Sequence, residues 1–321
     1  MIKTKLVAAL LLTVSATGMA TESAFPIKPV RIIVPYLAGG STDVSARLVA
    51  GKMEEYLGKP VIVENRPGGD SLIGTRAVAA SRPDGYTLLV TANSFSLLPS
   101  LKNKLGYDPI KDFVGIGPIV YAPLIMNVPS SLAVSNAQEF ITYAKKSGDS
   151  FSYVVPGIGT PNHTFSETFF EKVGIDKRVV IPFSGGSAGI IEVSSGRIPL
   201  FFSDYVSAAP HITTGRLKPL AVTSKKRMNA LPNVPSLTEQ GIDLEYEYWL
   251  GMVARAGTPP EVVEKLSDAL QYALQDEAVS KKFKDDGNNI KQISADEFTG
   301  VIRAEIPAYS KLIEQLGIEK N

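Results

Sequence analysis

A chain of 321 residues carries Lys+Arg 33 against Asp+Glu 32, a formal net charge of +1, with no cysteine and two histidines. The balance of charge leaves no broad basic field for nucleic acid or an anionic membrane surface. The lack of cysteine excludes disulfides, thiol chemistry and a lipid-anchoring thiol. His163 and His211 have no second His, Cys or calcium-loop pattern beside them, so neither a metal nor a cofactor is expected.

At the start of the chain, Lys3 and Lys5 precede the apolar run Leu6 to Leu12, and Gly18-Met19-Ala20 offers small residues for cleavage. Residues 1–20 therefore read as a signal peptide, and the protein as a periplasmic one. No later segment approaches the ~20 apolar residues a membrane span requires. Val30-Arg31-Ile32-Ile33-Val34 has the β-branched character of a buried strand, and a helical pattern begins near Asp43, with Ser41 or Thr42 as its expected cap. Gly58 and Pro60 end that helix. A strand at Val61-Ile62-Val63, a helix from about Ser71 to Ala80 and a strand from Tyr86 to Val90 follow. Strand and helix in alternation mean a parallel sheet with right-handed crossovers, whose ligands bind beyond the C-terminal strand ends.

The same alternation returns after residue 122, at Tyr121 to Val128, Phe151 to Val155, Val179 to Phe183 and Pro199 to Phe202. Two β/α lobes follow. Lobe 1 is expected at 21–121 plus 246–321 and lobe 2 at 122–245, with the first crossing in Gly117-Pro118-Ile119-Val120-Tyr121-Ala122-Pro123. Helices near Pro260–Leu274 and Ala295–Leu316 pack back on lobe 1.

Three glycine-bearing loops, Pro35 to Asp43, Gly157 to His163 and Phe183 to Ser187, each join a strand to a helix. The opening amides of a helix have no partner within it, the macrodipole adds positive charge there, and glycine lets a ligand approach closely. Such loops suit a small acid. Gly40 and Gly159 offer backbone donors. Tyr36, Leu37 and Phe183 supply apolar wall, and Ser41, Thr42, Asn93, Ser94, Thr160 and Asn162 orient polar groups. Asp204 ends the strand Pro199 to Phe202 and stands at the ligand-facing edge of lobe 2, unless it only caps the helix beginning near Val206.

The runs Pro29-Val30-Arg31 through Gly39-Gly40-Ser41-Thr42-Asp43, Val63-Glu64-Asn65-Arg66-Pro67-Gly68 and Pro83-Asp84-Gly85-Tyr86-Thr87-Leu88 resemble the tripartite tricarboxylate transporter substrate-binding proteins, or Bug family. The likeness extends to Gly157-Ile158-Gly159-Thr160 with His163, Leu231-Pro232-Asn233-Val234-Pro235-Ser236 and Trp249-Leu250-Gly251, so it covers nearly the whole chain beyond the signal peptide. It implies a type II periplasmic-binding-protein fold, α/β in class, with two mostly parallel sheets flanked by helices and a hinge between. The implied function is capture of a small carboxylate between the lobes by a monomer, for transporter subunits in the membrane or for a sensor kinase. Leu37-Ala38 and Ser184 depart from the family's usual loops, so ligand identity does not carry over.

Two alternatives stand beside this. One is a sensor-only carboxylate receptor. The other is a secreted serine hydrolase, because Gly185-Gly186-Ser187-Ala188-Gly189 fits the G-x-S-x-G elbow and Asp204 and His211 follow in hydrolase order. Against the hydrolase, the acid and the histidine are only seven positions apart, too little chain to bring both to one nucleophile.

Overall fold

The computed structural model describes residues 25–69, 71–158, 160–183 and 186–320, and of Ser187 the backbone alone. The signal peptide expected at 1–20 and the site residue Gly159 lie outside the described residues. In chain order β1 (Val30–Val34), α1 (Ser41–Leu57), β2 (Val61–Asn65), α2 (Leu72–Ala79), β3 (Thr87–Ala92), α3 (Ser94–Leu101) and β4 (Phe113–Pro123) come first. Next come β5 (Ile125–Pro129), α4 (Ala137–Ser147), β6 (Ser152–Val155), α5 (Pro161–Val173), β7 (Val179–Pro182), α6 (Gly186–Ser194), β8 (Phe201–Ser203), α7 (Tyr205–Thr213) and β9 (Leu217–Val222). The chain ends with β10 (Glu247–Arg255), α8 (Pro260–Gln275), α9 (Glu277–Asp285) and α10 (Ala295–Gln315).

These strands form two sheets, β2-β1-β3-β10-β4 and β7-β6-β8-β5-β9. In the first, β1 runs parallel to β2 and β3, while β10 is antiparallel to β3 and β4. In the second, β6 runs parallel to β7 and β8, and β5 is antiparallel to β8 and β9. Each sheet is thus mostly parallel with one reversed strand, and that strand is the first laid down after the chain arrives from the other sheet. The two-lobed type II architecture is present.

Period-two alternation sorts the side chains onto the two faces of each sheet. Val30, Ile32 and Val34 of β1 join Leu88, Val90, Met252 and the α1 and α8 side chains in one core, whereas Ile33, Leu89, Trp249 and Val253 face Phe95, Phe298 and Ile302 on the other side. In the second sheet Tyr153, Val155 and Phe202 pack on α4 and α5, and Val154 and Phe201 on α6 and α7. Both faces of both sheets are covered, as parallel strands require.

The proline-studded run Gly117–Pro123 is itself strand, the second half of β4. Proline is tolerated because β4 is an edge, bridged on its outer side by Asn289 at Tyr121, and because its register with β10 shifts between Leu250 and Gly251. The chain passes between sheets at Leu124 and returns ahead of β10. Thr223 ties both passages together. Its N–H donates to the Leu124 carbonyl at 2.9 Å, its hydroxyl accepts from the Leu124 N–H at 2.8 Å and donates to the Tyr246 carbonyl at 2.7 Å, and its carbonyl accepts from the Tyr246 N–H at 2.8 Å. This fully buried threonine is the clasp of the hinge.

Candidate functional site

The first glycine loop follows β1 and opens α1. The sequence places the helix start near Asp43 with a Ser41 or Thr42 cap, but the helix begins at Ser41, and its N-cap is Gly40, extended and without a capping side chain. The reason lies in Asp43. Its carboxylate accepts the Gly39 N–H at 2.9 Å, the Asn65 amide at 2.9 Å and the Arg47 guanidinium at 3.0 Å. Burial works against its ionisation, yet the hydrogen bonds from Arg47, Gly39 and Asn65 prevail and hold the carboxyl below its ordinary pKa. Asn65 also donates to the Tyr36 carbonyl at 3.2 Å. Asp43 and Asn65 therefore set the loop from behind, and Gly40 leaves the opening amides of a 17-residue helix uncapped. Tyr36 is half-buried with its hydroxyl 2.9 Å from Ser94, Thr42 is buried, and Leu37 stands 74% exposed.

In lobe 2 the loop hydroxyls and amides are engaged locally. Thr160 is the N-cap of α5, accepting from the His163 N–H at 3.4 Å and donating to the Gly157 carbonyl at 2.8 Å. Asn162 donates to the Phe202 carbonyl at 2.8 Å, joining α5 to the end of β8. Phe183 packs partly buried on the cluster of Val154, Ile190 and Phe201. His163 is buried against Tyr153, ring centroids 6.3 Å apart, and burial lowers its pKa. Asp204 takes the capping role: one carboxylate oxygen accepts from the Ser207 N–H at 2.8 Å and the other from the Ser207 hydroxyl at 2.9 Å.

Of the sequence-derived residues, the structure brings Ser41 of lobe 1 and Asp204 of lobe 2 onto one interlobe cavity, with Tyr205, Val206, Pro123 and Tyr248. The cavity has about 10 Å3, roughly the room for one water. Tyr248, at the head of β10, carries no sequence signal for this cavity; burial first and the Asp204 charge second push its hydroxyl pKa up. Asn93 lies apart from this space, 1% exposed, with its amide nitrogen 3.0 Å from the Tyr246 hydroxyl and 2.8 Å from that of Tyr309. A further interlobe contact lies at Gly287, in the turn after α9. With φ +76, it sits so close to Met228 and Tyr205 that an added Cβ would lie 2.1 Å from the Met228 methyl.

The hydrolase arrangement is not supported. The Ser187 side chain lies outside the described residues, but both Asp204 oxygens are held by Ser207. His211 sits in the last turn of α7 with a buried Nδ1 that has no partner among the described residues. Seven helical positions separate the two by ~10 Å. Among the described residues no cluster of His, Cys, Asp or Glu could hold a metal, and no helix is long and apolar enough to cross a membrane.

A family model described as a tripartite tricarboxylate transporter family receptor matches residues 45–318. A UPF0065 protein of Bordetella bronchiseptica is 32% identical over 318 residues, covering 99% of this chain and 94% of its own length. Among solved structures, the periplasmic binding protein BugD superposes with TM-score 0.81 at 33% identity, over 92% of this chain and 100% of BugD. An R. palustris protein solved with adipate gives TM-score 0.84 at 28% identity, over 92% of this chain and 100% of its own.

Proposed function

The chain belongs to the tripartite tricarboxylate transporter family of receptors, and from that premise we propose that it captures a small organic acid between its lobes in the periplasm and hands it to a membrane transporter. It is a binding protein and not an enzyme. The observation that carries the reading is the uncapped start of α1 at Gly40 and Ser41, which borders the same interlobe space as the start of α7. Amides at a helix N-terminus receive a carboxylate without a charged side chain, each charge-assisted hydrogen bond contributing about 1.5–3 kcal/mol.

The cavity is too small for an organic acid while the lobes touch. Ligand entry therefore requires the lobes to part about Leu124 and Thr223, and the closed form is the state a partner reads. Each side of the cleft comes from the same chain, which supports a monomer as the working unit. A sensor kinase would be served by the same closed form, and transport and sensing are separated by whether uptake of the bound acid fails when the chain is deleted.

The test is a thermal-shift screen of the chain lacking residues 1–20 against mono-, di- and tricarboxylates with neutral sugars as controls. A ligand at ~100 times its dissociation constant stabilises by about 2.7 kcal/mol. Stabilisation by at least one acid and by no sugar is expected. A response to sugars alone would falsify the reading.

A further inference from the structure

The interlobe cavity is bordered on one side by Met228, Gly287 and Asn288, and the same three residues border a second, larger groove of about 510 Å3. That volume lies in the range of small-ligand sites. Five cations line it: Lys225, Lys226 and Arg227 from the segment just past the hinge threonine, Lys284 from α9 and Lys291 beyond it. Only two carboxylates, Glu245 and Glu247, accompany them. On a chain of net charge +1 this is a marked local excess.

Most of the cations are already paired. Lys225 lies 3.8 Å from Glu245, Arg227 reaches Glu239 at 3.0 Å, and Lys291 is 2.5 Å from Glu247 and over the Tyr121 ring at 4.3 Å. Lys226 and Lys284 are exposed and have no acidic partner among the described residues. They belong to different lobes and line the same groove, so bringing the lobes together gathers like charge there.

We propose that this groove is a second anion site, distinct from the interlobe cleft, which takes a small oxyanion bearing two or more carboxylate or phosphate groups. Lys226 and Lys284 would hold it from opposite lobes across the Met228–Gly287 contact. An anion so placed favours the closed arrangement, because only there do both cations reach it, and closure in turn strengthens its binding.

Isothermal titration calorimetry on the chain lacking residues 1–20, at low salt, tests this with tripolyphosphate and with citrate as probes. Lys226→Gln and Lys284→Gln should each weaken binding of at least one probe by about five-fold or more, the double variant further, with affinity falling as salt rises. The probe that loses more identifies the class. Lys172→Gln, an exposed cation on α5, should leave affinity unchanged. Failure of both probes to bind, unchanged affinity in the double variant, or an equal loss in Lys172→Gln overturns the proposal.

Discussion

Glu305 sits on α10 with both carboxylate oxygens 2.9 Å from the Trp249 indole nitrogen, and burial pushes its pKa from 4.5 up to about 7. Of the groups interacting with it, Tyr309 on the same helix and Tyr121 and Tyr246 elsewhere in the chain, none is a cation that would offset a negative charge. The folded state therefore keeps a proton that the unfolded chain has released, and stability falls as pH rises from 4.5 to about 7, then levels. The gap between those values, at ~1.36 kcal/mol per pH unit, sets a ceiling of about 3.4 kcal/mol. Glu305 keeps some exposure, so about 1.5–3 kcal/mol is expected. Glu305→Gln removes the charge and still offers an oxygen to the indole. The variant should match the parent at pH 4.5 and exceed it at pH 8, by about 2–5 °C in melting temperature for a chain of this size. Thermal unfolding followed by circular dichroism at half-unit pH steps measures it. A parent curve flat between pH 4.5 and 7, or a glutamine variant less stable at pH 8, would refute the reasoning.

Thr223→Val should strip the Leu124 N–H of its acceptor and the Tyr246 carbonyl of its donor, at about 1–3 kcal/mol each. Hydrogen exchange at the Leu124 amide should rise, and unchanged protection there would remove Thr223 from the hinge. Gly287→Ala should lower stability by on the order of 1–2 kcal/mol through its positive φ and the Met228 clash, and Met228→Ala in the same chain should recover the steric part. No recovery in the double variant, or no loss in the single one, would show that this contact is loose. Asp204→Ala should cost about 1 kcal/mol as a lost helix cap, read by urea denaturation; no loss would show that the α7 start does not depend on it.

The strand at Val30–Val34 was legible because four β-branched residues broken only by Arg31 admit little else, and Gly58 marked the end of α1 through its left-handed backbone. The start of α1 was not. Residue preference favours a serine or threonine cap, whereas Asp43 and Asn65, the latter 22 positions on, organise the loop and free Gly40 from needing one. Residue type and loop position point to candidate site residues, but type does not reveal occupancy. Asn93 is buried by α10, more than 200 residues later in the chain, through Tyr309. Thr160 and Asp204 spend their side chains on their own helices. Thr223 and Glu305 carry no local signal, since their partners Leu124, Tyr246 and Trp249 lie far away in sequence.

The reversed strand in each sheet has a consequence for the order in which the molecule is built. The second sheet is complete between β5 and β9, a continuous stretch of chain. The first is not: Ala92 of β3 pairs with Leu250 of β10, a closure spanning roughly 160 residues whose entropy must be met late. Until Glu247–Arg255 has emerged and inserted, β3 and β4 each present an open edge toward the same gap, the kind of surface on which strands of other chains assemble. A chain cut short before Glu247 keeps every strand of lobe 2 and leaves lobe 1 split, so truncation at that point should yield a folded half joined to an aggregating one.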